Sequence, residues 1–240
     1  MALDKKADGT GSSEAGEATV AAWDVPTRLF HWTLVSLIIA AYLTREFGGV
    51  DLYWHKICGY SILILIVYRV LWGFVGSSTA RFTSFVKAPW TALAYARDFA
   101  LGRPRHFLGH NPLGGGVVIA ILALVGAQAM TGLFASDDAL AEGPLVKLAG
   151  DNVARITALH HQIFDLILVV VVLHIAANFI YLFWKKENLI RPMVTGRKPA
   201  RGYEDANEAD LRSPLVAVVC LVLAAAIVLG GITLAGGRLL

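Results

Sequence analysis

The chain has 240 residues, of which 56% are hydrophobic and only 16% are charged, and its formal net charge is +3. A soluble domain carries about a quarter of charged residues, so this composition excludes an ordinary soluble protein. Long uncharged stretches of the kind that span a bilayer, about 17–25 residues each, recur along the sequence. We therefore predict an integral, multi-pass membrane protein.

Five apolar stretches predict five membrane-spanning helices and an all-α membrane protein. Residues 1–22 mix glycine, serine, alanine and acidic residues without the apolar segment of a secretory signal, which predicts a flexible tail. A polar linker is predicted at 200–212, before a last helical segment at 213–240. The five predicted spans are 27–44, 52–75, 113–134, 158–183 and 214–235.

Loop charges predict the orientation, because cytoplasmic loops carry an excess of lysine and arginine. The segments after the second and fourth spans are strongly basic, whereas the loop between the third and fourth is mainly acidic. We therefore expect the N-terminus to face the cytoplasm, and the acidic loop and the C-terminus to face outward.

Two histidines in the fourth span are separated by fourteen residues, His160 and His174. A helix turns about 100° and rises about 1.5 Å per residue, so the two imidazoles lie within roughly 40° of each other and about 21 Å apart. That separation suits two planar cofactors, one near each side of a bilayer. The neighbouring His161 points to nearly the opposite side.

Two further histidines begin other spans, and their predicted depths match this pair. His31 lies near the cytoplasmic start of the first span, level with His174, and His55 lies near the outer start of the second, level with His160. Ionisable residues inside a bilayer are costly and usually mark function. Four imidazoles in two level pairs predict two haem irons, each with two histidine ligands; packing contacts between helices are the alternative. No C-x-x-C-H motif is present, so covalent attachment is not expected.

Three other residues on the same helices fit a haem site. Arg69 follows His55 by fourteen residues, which places it on the same face at the level of the inner haem, where its guanidinium would suit a propionate. Arg28 is a similar candidate at the interface. For both, reaching out to headgroups is the alternative. Gly59 lies one turn after His55, where a side chain would collide with a macrocycle.

The remaining polar residues near the spans are given more ordinary roles. We expect His161 to be an outer-surface neighbour that can reach a propionate, and His106 and His110 to be solvated or headgroup-facing. Gln128 and Thr131, in the third span, are interpreted as interhelical hydrogen-bonding residues.

Five segments in order resemble one known family. They are WDVPTRLFHW, LYWHKICGYSILILIVYRVLWGFVGSSTARFTSFV, GHNPLGG, LHHQIFDLILVVVVLH and KKENLIRPMVTGRK. They resemble the bacterial cytochrome b561 family, close to the b-type cytochrome subunits of membrane-bound Ni/Fe hydrogenases. The resemblance covers residues 23–199.

The resemblance implies a four-helix transmembrane bundle with two haem b groups, with His31 and His174 as ligands of the inner haem and His55 and His160 as ligands of the outer. It also implies electron transfer between the membrane quinone pool and a periplasmic redox partner. Anchoring a larger oxidoreductase such as a hydrogenase, or superoxide oxidation coupled to quinone reduction, are the alternatives within the family.

The fifth span lies beyond the family core. It has no histidine, and Ala226 and Gly230 have small-x-x-x-small spacing, which favours contact with another membrane helix in a second copy or a partner subunit. A plain extra anchor is the alternative. A transporter that uses histidines as proton relays is the remaining function class. Lipid is an expected partner and nucleic acid is not.

Overall fold

The computed structural model describes residues 18–48, 52–103, 105–137 and 141–239. Five of its helices are long and apolar enough to cross a membrane, α1, α2, α5, α7 and α9, which confirms the five predicted spans. In chain order the helices are α1 (Val25–Phe47), α2 (Tyr53–Val75), α3 (Phe82–Phe85), α4 (Pro89–Ala100), α5 (Pro112–Gly132), α6 (Val146–Ala149), α7 (Val153–Phe183), α8 (Ile190–Thr195) and α9 (Pro214–Leu234).

Three of the spanning helices start with a polar capping residue and a proline in the first turn, which satisfies otherwise unpaired backbone donors. The caps accept N–H groups as follows: Asp24 from Thr27 at 2.6 Å, Asn111 from Gly114 at 2.8 Å, and Ser213 from Leu215 at 3.3 Å.

We call the end where α1, α5 and α9 begin the inner end, and the end where α2 and α7 begin the outer end. Helix α7 starts five residues before the predicted span, because its first turn is too polar to register as apolar sequence.

Helix α2 is central: it packs against α1, α5 and α9, and α5 packs against α7. The rings of Tyr42 on α1 and Phe164 on α7 stack with centroids 5.8 Å apart. The helices α1, α2, α5 and α7, which carry the four predicted ligands and the wall between them, therefore surround a common interior.

The fifth helix lies against the bundle of its own chain. Ala217, Cys220, Ala224 and Val228 of α9 are buried, at the three- and four-residue spacing of one helix face. Ala226 is exposed and Gly230 is half-buried, so this predicted small-residue pair lies away from the buried face.

A small sheet closes the inner end, an addition to the predicted all-α fold. Strand β1 (Thr19–Ala21) pairs antiparallel with β2 (Arg197–Pro199). The N–H groups of Ala22 and Trp23 then donate to the carbonyl of Gly196, which has a φ of +81° and passes so close that a Cβ there would lie 2.8 Å from the Trp23 carbonyl oxygen. The structure thus corrects residues 18–22 of the predicted tail, because their backbone is paired. Residues 1–17 of that tail lie outside the described residues.

The predicted linker 200–212 is likewise held by specific contacts, and we call residues 203–212 the strap. Its backbone bonds to β1, where Ala209 N–H donates to the Ala21 carbonyl at 2.9 Å. It also bonds to the turn after α2, where Arg212 N–H donates to the Ser77 hydroxyl at 3.0 Å. The strap therefore ties α9 to the cap over the inner end.

The cap of α1 provides a test of this fold. Asp24 is buried and also accepts the indole N–H of Trp72 at 3.2 Å. Asp24→Ala is expected to destabilise the protein by about 2 kcal/mol, because it removes a helix cap and a buried acceptor. Thermal unfolding of detergent-purified protein measures this. The control Asp98→Ala breaks only an exposed pair with Arg105, and is expected to change stability by less than about 1 kcal/mol; equal effects would contradict the account.

Candidate functional site

A cavity of about 490 Å³ lies between α1, α2, α5 and α7 in the outer half of the bundle. Its volume falls within the range of about 300–1,000 Å³ that is usual for cofactor and ligand sites. The walls are mainly apolar, and the imidazoles of His55 and His160 both line it. The structure therefore brings together the two residues predicted to form the outer pair.

The separation of the two imidazoles suits two ligands of one metal. Their ring centroids are 6.4 Å apart, and two imidazoles bound to opposite sides of one metal by bonds of about 2 Å have centres about 6 Å apart. The Nδ1 of His55 lies 2.9 Å from the Ala41 carbonyl oxygen, and that of His160 lies 3.0 Å from the Gln128 carbonyl oxygen. Because a carbonyl only accepts, each Nδ1 donates and each Nε2 carries the lone pair, which in His160 accepts from the Gln128 side-chain nitrogen at 3.1 Å.

Helix α5 supplies the wall beside His160. The hydroxyl of Thr131 and the side-chain nitrogen of Gln128 each lie 3.1 Å from a nitrogen of this imidazole, so both form contacts between α5 and α7, as predicted. Gly132 faces the same ring, and a Cβ on it would lie 3.1 Å from His160 Cε1. These neighbours fix the direction of the imidazole.

Charged side chains surround the opening of the cavity. His161 is exposed and lines the cavity, and so do Arg45 and Lys56, which were not predicted from the sequence. A signal for Arg45 was present: it follows His31 by fourteen residues, the same interval that separates Arg69 from His55. The acidic residues Glu46, Glu142 and Asp165 also line the cavity, so its opening carries both signs of charge, and Arg45 and Lys56 are the groups that suit carboxylates of a bound cofactor.

The predicted inner pair, His31 and His174, lies within the range of an electrostatic interaction. The Nδ1 of His31 is enclosed and has no hydrogen-bond partner. The side-chain nitrogen of Asn178 lies 3.5 Å from His174 Nε2.

Both predicted arginines lie at this inner end. Arg69 is only 2% exposed, so its side chain does not extend to the headgroups; it donates to the Ala80 carbonyl at 3.0 Å, while its Nη1 is enclosed without a partner. Arg28 donates to the Val194 carbonyl, and its Nε is likewise enclosed without a partner. Both guanidiniums thus retain buried donors beside the inner histidines.

The prediction that His110 is solvated or headgroup-facing is wrong. Its ring packs between those of Trp23 and Phe85, with both centroids 4.8 Å away, and its Nδ1 is enclosed without a partner. Burial, with the charges of Arg69 and Lys198, lowers the pKa of His110 to about 3, so the imidazole is neutral at pH 7. A position outside the apolar spans suggested exposure, but the segment before α5 folds back under the bundle.

His106, in the same segment, lies on the surface of the inner end. It pairs through Nδ1 with the Glu187 carboxylate at 3.0 Å. That carboxylate also pairs with Arg201 at 2.9 Å. His106 is therefore a half-buried surface residue, in line with its prediction.

Comparison with known proteins agrees with this architecture. The family model described as prokaryotic cytochrome b561 matches residues 22–196. The chain belongs to this family, which confirms the resemblance and supports haem b as the cofactor.

The curated relatives are hydrogenase cytochromes. A probable Ni/Fe-hydrogenase B-type cytochrome subunit of Azotobacter vinelandii is 31% identical over 140 residues, which are 48% of this chain and 58% of the relative. The protein of the same name from Rhizobium leguminosarum bv. viciae is 24% identical over 231 residues, 83% of this chain and 97% of the relative. The chain thus matches little more than half the length of the Azotobacter relative. No solved structure gives a significant match.

Gly59 provides a test of the cavity. It lines the cavity, and a Cβ there would meet nothing within 4 Å. Gly59→Phe should leave the helices assembled but fill space that a macrocycle needs, and haem content per chain should fall by about half. Gly116→Phe is the matched control, because Gly116 also has open space and does not line the cavity. Unchanged haem content in Gly59→Phe, with an unchanged elution profile, would contradict this use of the cavity.

Proposed function

We propose that the chain is a dihaem b-type cytochrome that transfers electrons across a bacterial inner membrane, between a periplasmic redox partner and the quinone pool. One haem is bound by His55 and His160 near the outer end, and the other by His31 and His174 near the inner end. In this proposal Arg69 and Arg28 neutralise propionates of the inner haem.

The observation that carries the proposal is the geometry of the outer pair. The ring centroids of two imidazoles lie 6.4 Å apart, both rings line a largely apolar cavity of about 490 Å³, and each donates through Nδ1 to a backbone carbonyl. Second hydrogen bonds of this kind are usual for metal-bound histidines, since they fix the tautomer and the ring direction. Haem binding at this pair requires Gln128 to release His160 Nε2, because the side-chain nitrogen of Gln128 lies 3.1 Å from it.

Buried donors without hydrogen-bond partners support the proposed inner haem site at His31 and His174. Among the described residues, Arg28, His31 and Arg69 each have an enclosed nitrogen without a partner near this end. A buried unpaired donor costs about 1–3 kcal/mol, and more when the group is charged. A bound group with two carboxylates, such as haem, would satisfy donors of this kind.

The two sites fit electron transfer rather than substrate chemistry. Haem iron with imidazole on both sides has no open coordination position and exchanges single electrons. The chain's own part is to fix the two pairs about 21 Å apart along α7, to exclude water with apolar walls, and to balance the carboxylates with arginines.

The charge distribution supports a cytoplasmic inner end. The segment between α2 and α5 and the segment after α7 are rich in lysine and arginine, whereas the loop between α5 and α7 is mainly acidic. The N-terminus would then be cytoplasmic and the C-terminus, after five spans, periplasmic.

A second candidate is the membrane cytochrome of a larger oxidoreductase. The relatives' printed names favour it, since they describe subunits of a Ni/Fe hydrogenase. In that case the periplasmic partner would be a catalytic subunit, and the chain would both anchor it and receive its electrons. The exposed Ala226 side of α9 is one surface on which another membrane helix, from a partner or a second copy, would dock.

Single-ligand variants test the haem assignment. His160→Ala should remove the outer haem and His174→Ala the inner, so each variant should retain one haem where the parent has two. Haem is counted against protein by the pyridine haemochrome assay. His106→Ala, which changes a surface histidine outside both proposed haem sites, is the control and should retain two. Retention of two haems by both ligand variants would contradict the proposed ligand pairs.

Quinone reactivity tests the function separately. In proteoliposomes, a quinol analogue should reduce the haem of the isolated chain, because the proposed path needs no other subunit for this half-reaction. Absence of reduction, with haem content normal, would exclude a direct link to quinone.

Stable co-purification of the chain with a hydrogenase subunit from its native membrane would support the second candidate.

A further inference from the structure

Buried donors without partners are concentrated at the inner end. Among the described residues, five side-chain nitrogen or oxygen atoms are enclosed without a hydrogen bond, and four of these are nitrogens at this end: Arg28 Nε, His31 Nδ1, Arg69 Nη1 and His110 Nδ1. The nearby buried carboxylate of Asp24 already accepts the N–H of Thr27 and the indole N–H of Trp72. The cluster therefore lacks an acceptor of its own.

His110 belongs to this cluster by position. Its charge interactions are with Arg69, Lys198, His174 and His31, so it lies close to both proposed inner ligands and to the buried guanidinium. Arg69 shares an aromatic neighbour with it, since the guanidinium carbon lies 5.9 Å from the Phe85 centroid.

The ring of His110 is held so that it can donate but hardly move. Trp23 and Phe85 flank it, and both side chains are buried, at 7% and 1% exposure. A neutral imidazole has one N–H donor. A donor near the buried Arg69 guanidinium is suited to a carboxylate, which accepts several hydrogen bonds at once.

We propose that His110 binds a propionate of the inner haem together with Arg28 and Arg69, and that Asp205 of the strap positions His110 for this role. The proposal rests on the dihaem function proposed above. His110 is the binding residue in this arrangement, and Asp205 acts only through the backbone that carries it.

Asp205 holds the segment that leads into His110. One carboxylate oxygen accepts the Leu108 N–H at 2.6 Å and the other accepts the Gly109 N–H at 2.8 Å. Leu108 is fully buried, and Lys198 donates to the preceding carbonyl, of Phe107, at 2.8 Å. The backbone before His110 is thus fixed from two sides by residues that follow α7.

The expected effect is on redox potential. A propionate stabilises the oxidised, more positive iron by charge attraction, and a hydrogen-bond donor on that propionate weakens the attraction. Without the donor, the inner haem should become harder to reduce. The outer haem, about 21 Å away by helix geometry, should keep its potential.

The test is a spectroscopic redox titration of the full chain carrying His110→Phe, which keeps a ring between Trp23 and Phe85 but has no donor. At a fixed potential, the ratio of reduced to oxidised inner haem should be about tenfold lower. This corresponds to a midpoint potential that is lower by about 59 mV for one electron. The two transitions are assigned with the single-haem variants His160→Ala and His174→Ala. His110→Gln, which retains a donor, should shift the potential less.

Matched controls separate this role from loosening of the fold. His106→Phe changes a histidine of the same segment and should shift neither haem. Asp205→Asn, which loses one of the two acceptors, should lower the inner potential by less than His110→Phe does. Asp210→Asn, in the same strap, loses only an exposed pair with Arg81, and should have no effect.

The outcomes are distinguishable from failure of the dihaem function. If the unaltered chain does not contain two haems, the underlying function fails, whatever the variants do. If it contains two haems, a selective fall of the inner potential supports the proposal. An unchanged inner potential in His110→Phe, or an equal shift of both haems, overturns it.

Discussion

The membrane interior offers no water, so every buried polar group must find its partner within the protein or in a ligand. This constraint explains the arrangement of the four histidines and of Arg69. At the outer end the Nδ1 atoms of His55 and His160 are paired with carbonyls, His160 Nε2 contacts the Gln128 side chain, and both rings line a cavity. On our proposal a haem at each end completes the pairing.

The two ends meet this constraint in different ways. The outer cavity opens towards a rim with both signs of charge, which includes Arg45, Lys56, Glu46 and Asp165. The inner end is covered by β1, β2 and the strap, so its donors are enclosed. A segment before α1 and the long connection between α7 and α9 therefore cooperate to exclude water from the inner site.

The sequence alone predicted what depends on position within one helix. Fourteen-residue intervals place His160 and His174 on one face, and His55 with Arg69 on another, and the five spans follow from apolar length. It missed His110 and the strap because these depend on segments that fold back from distant parts of the chain. Polar residues outside an apolar stretch look solvated in sequence, yet Asp205 pairs with Leu108 and Gly109 across almost a hundred residues.

The most direct test of the account is the haem content of the detergent-purified, unaltered chain, measured by pyridine haemochrome against protein concentration. A reduced-minus-oxidised spectrum is recorded on the same sample. We predict two non-covalent b-type haems per chain. A single haem would contradict one of the two histidine pairs. The absence of haem would mean that the four histidines serve in packing or proton transfer instead.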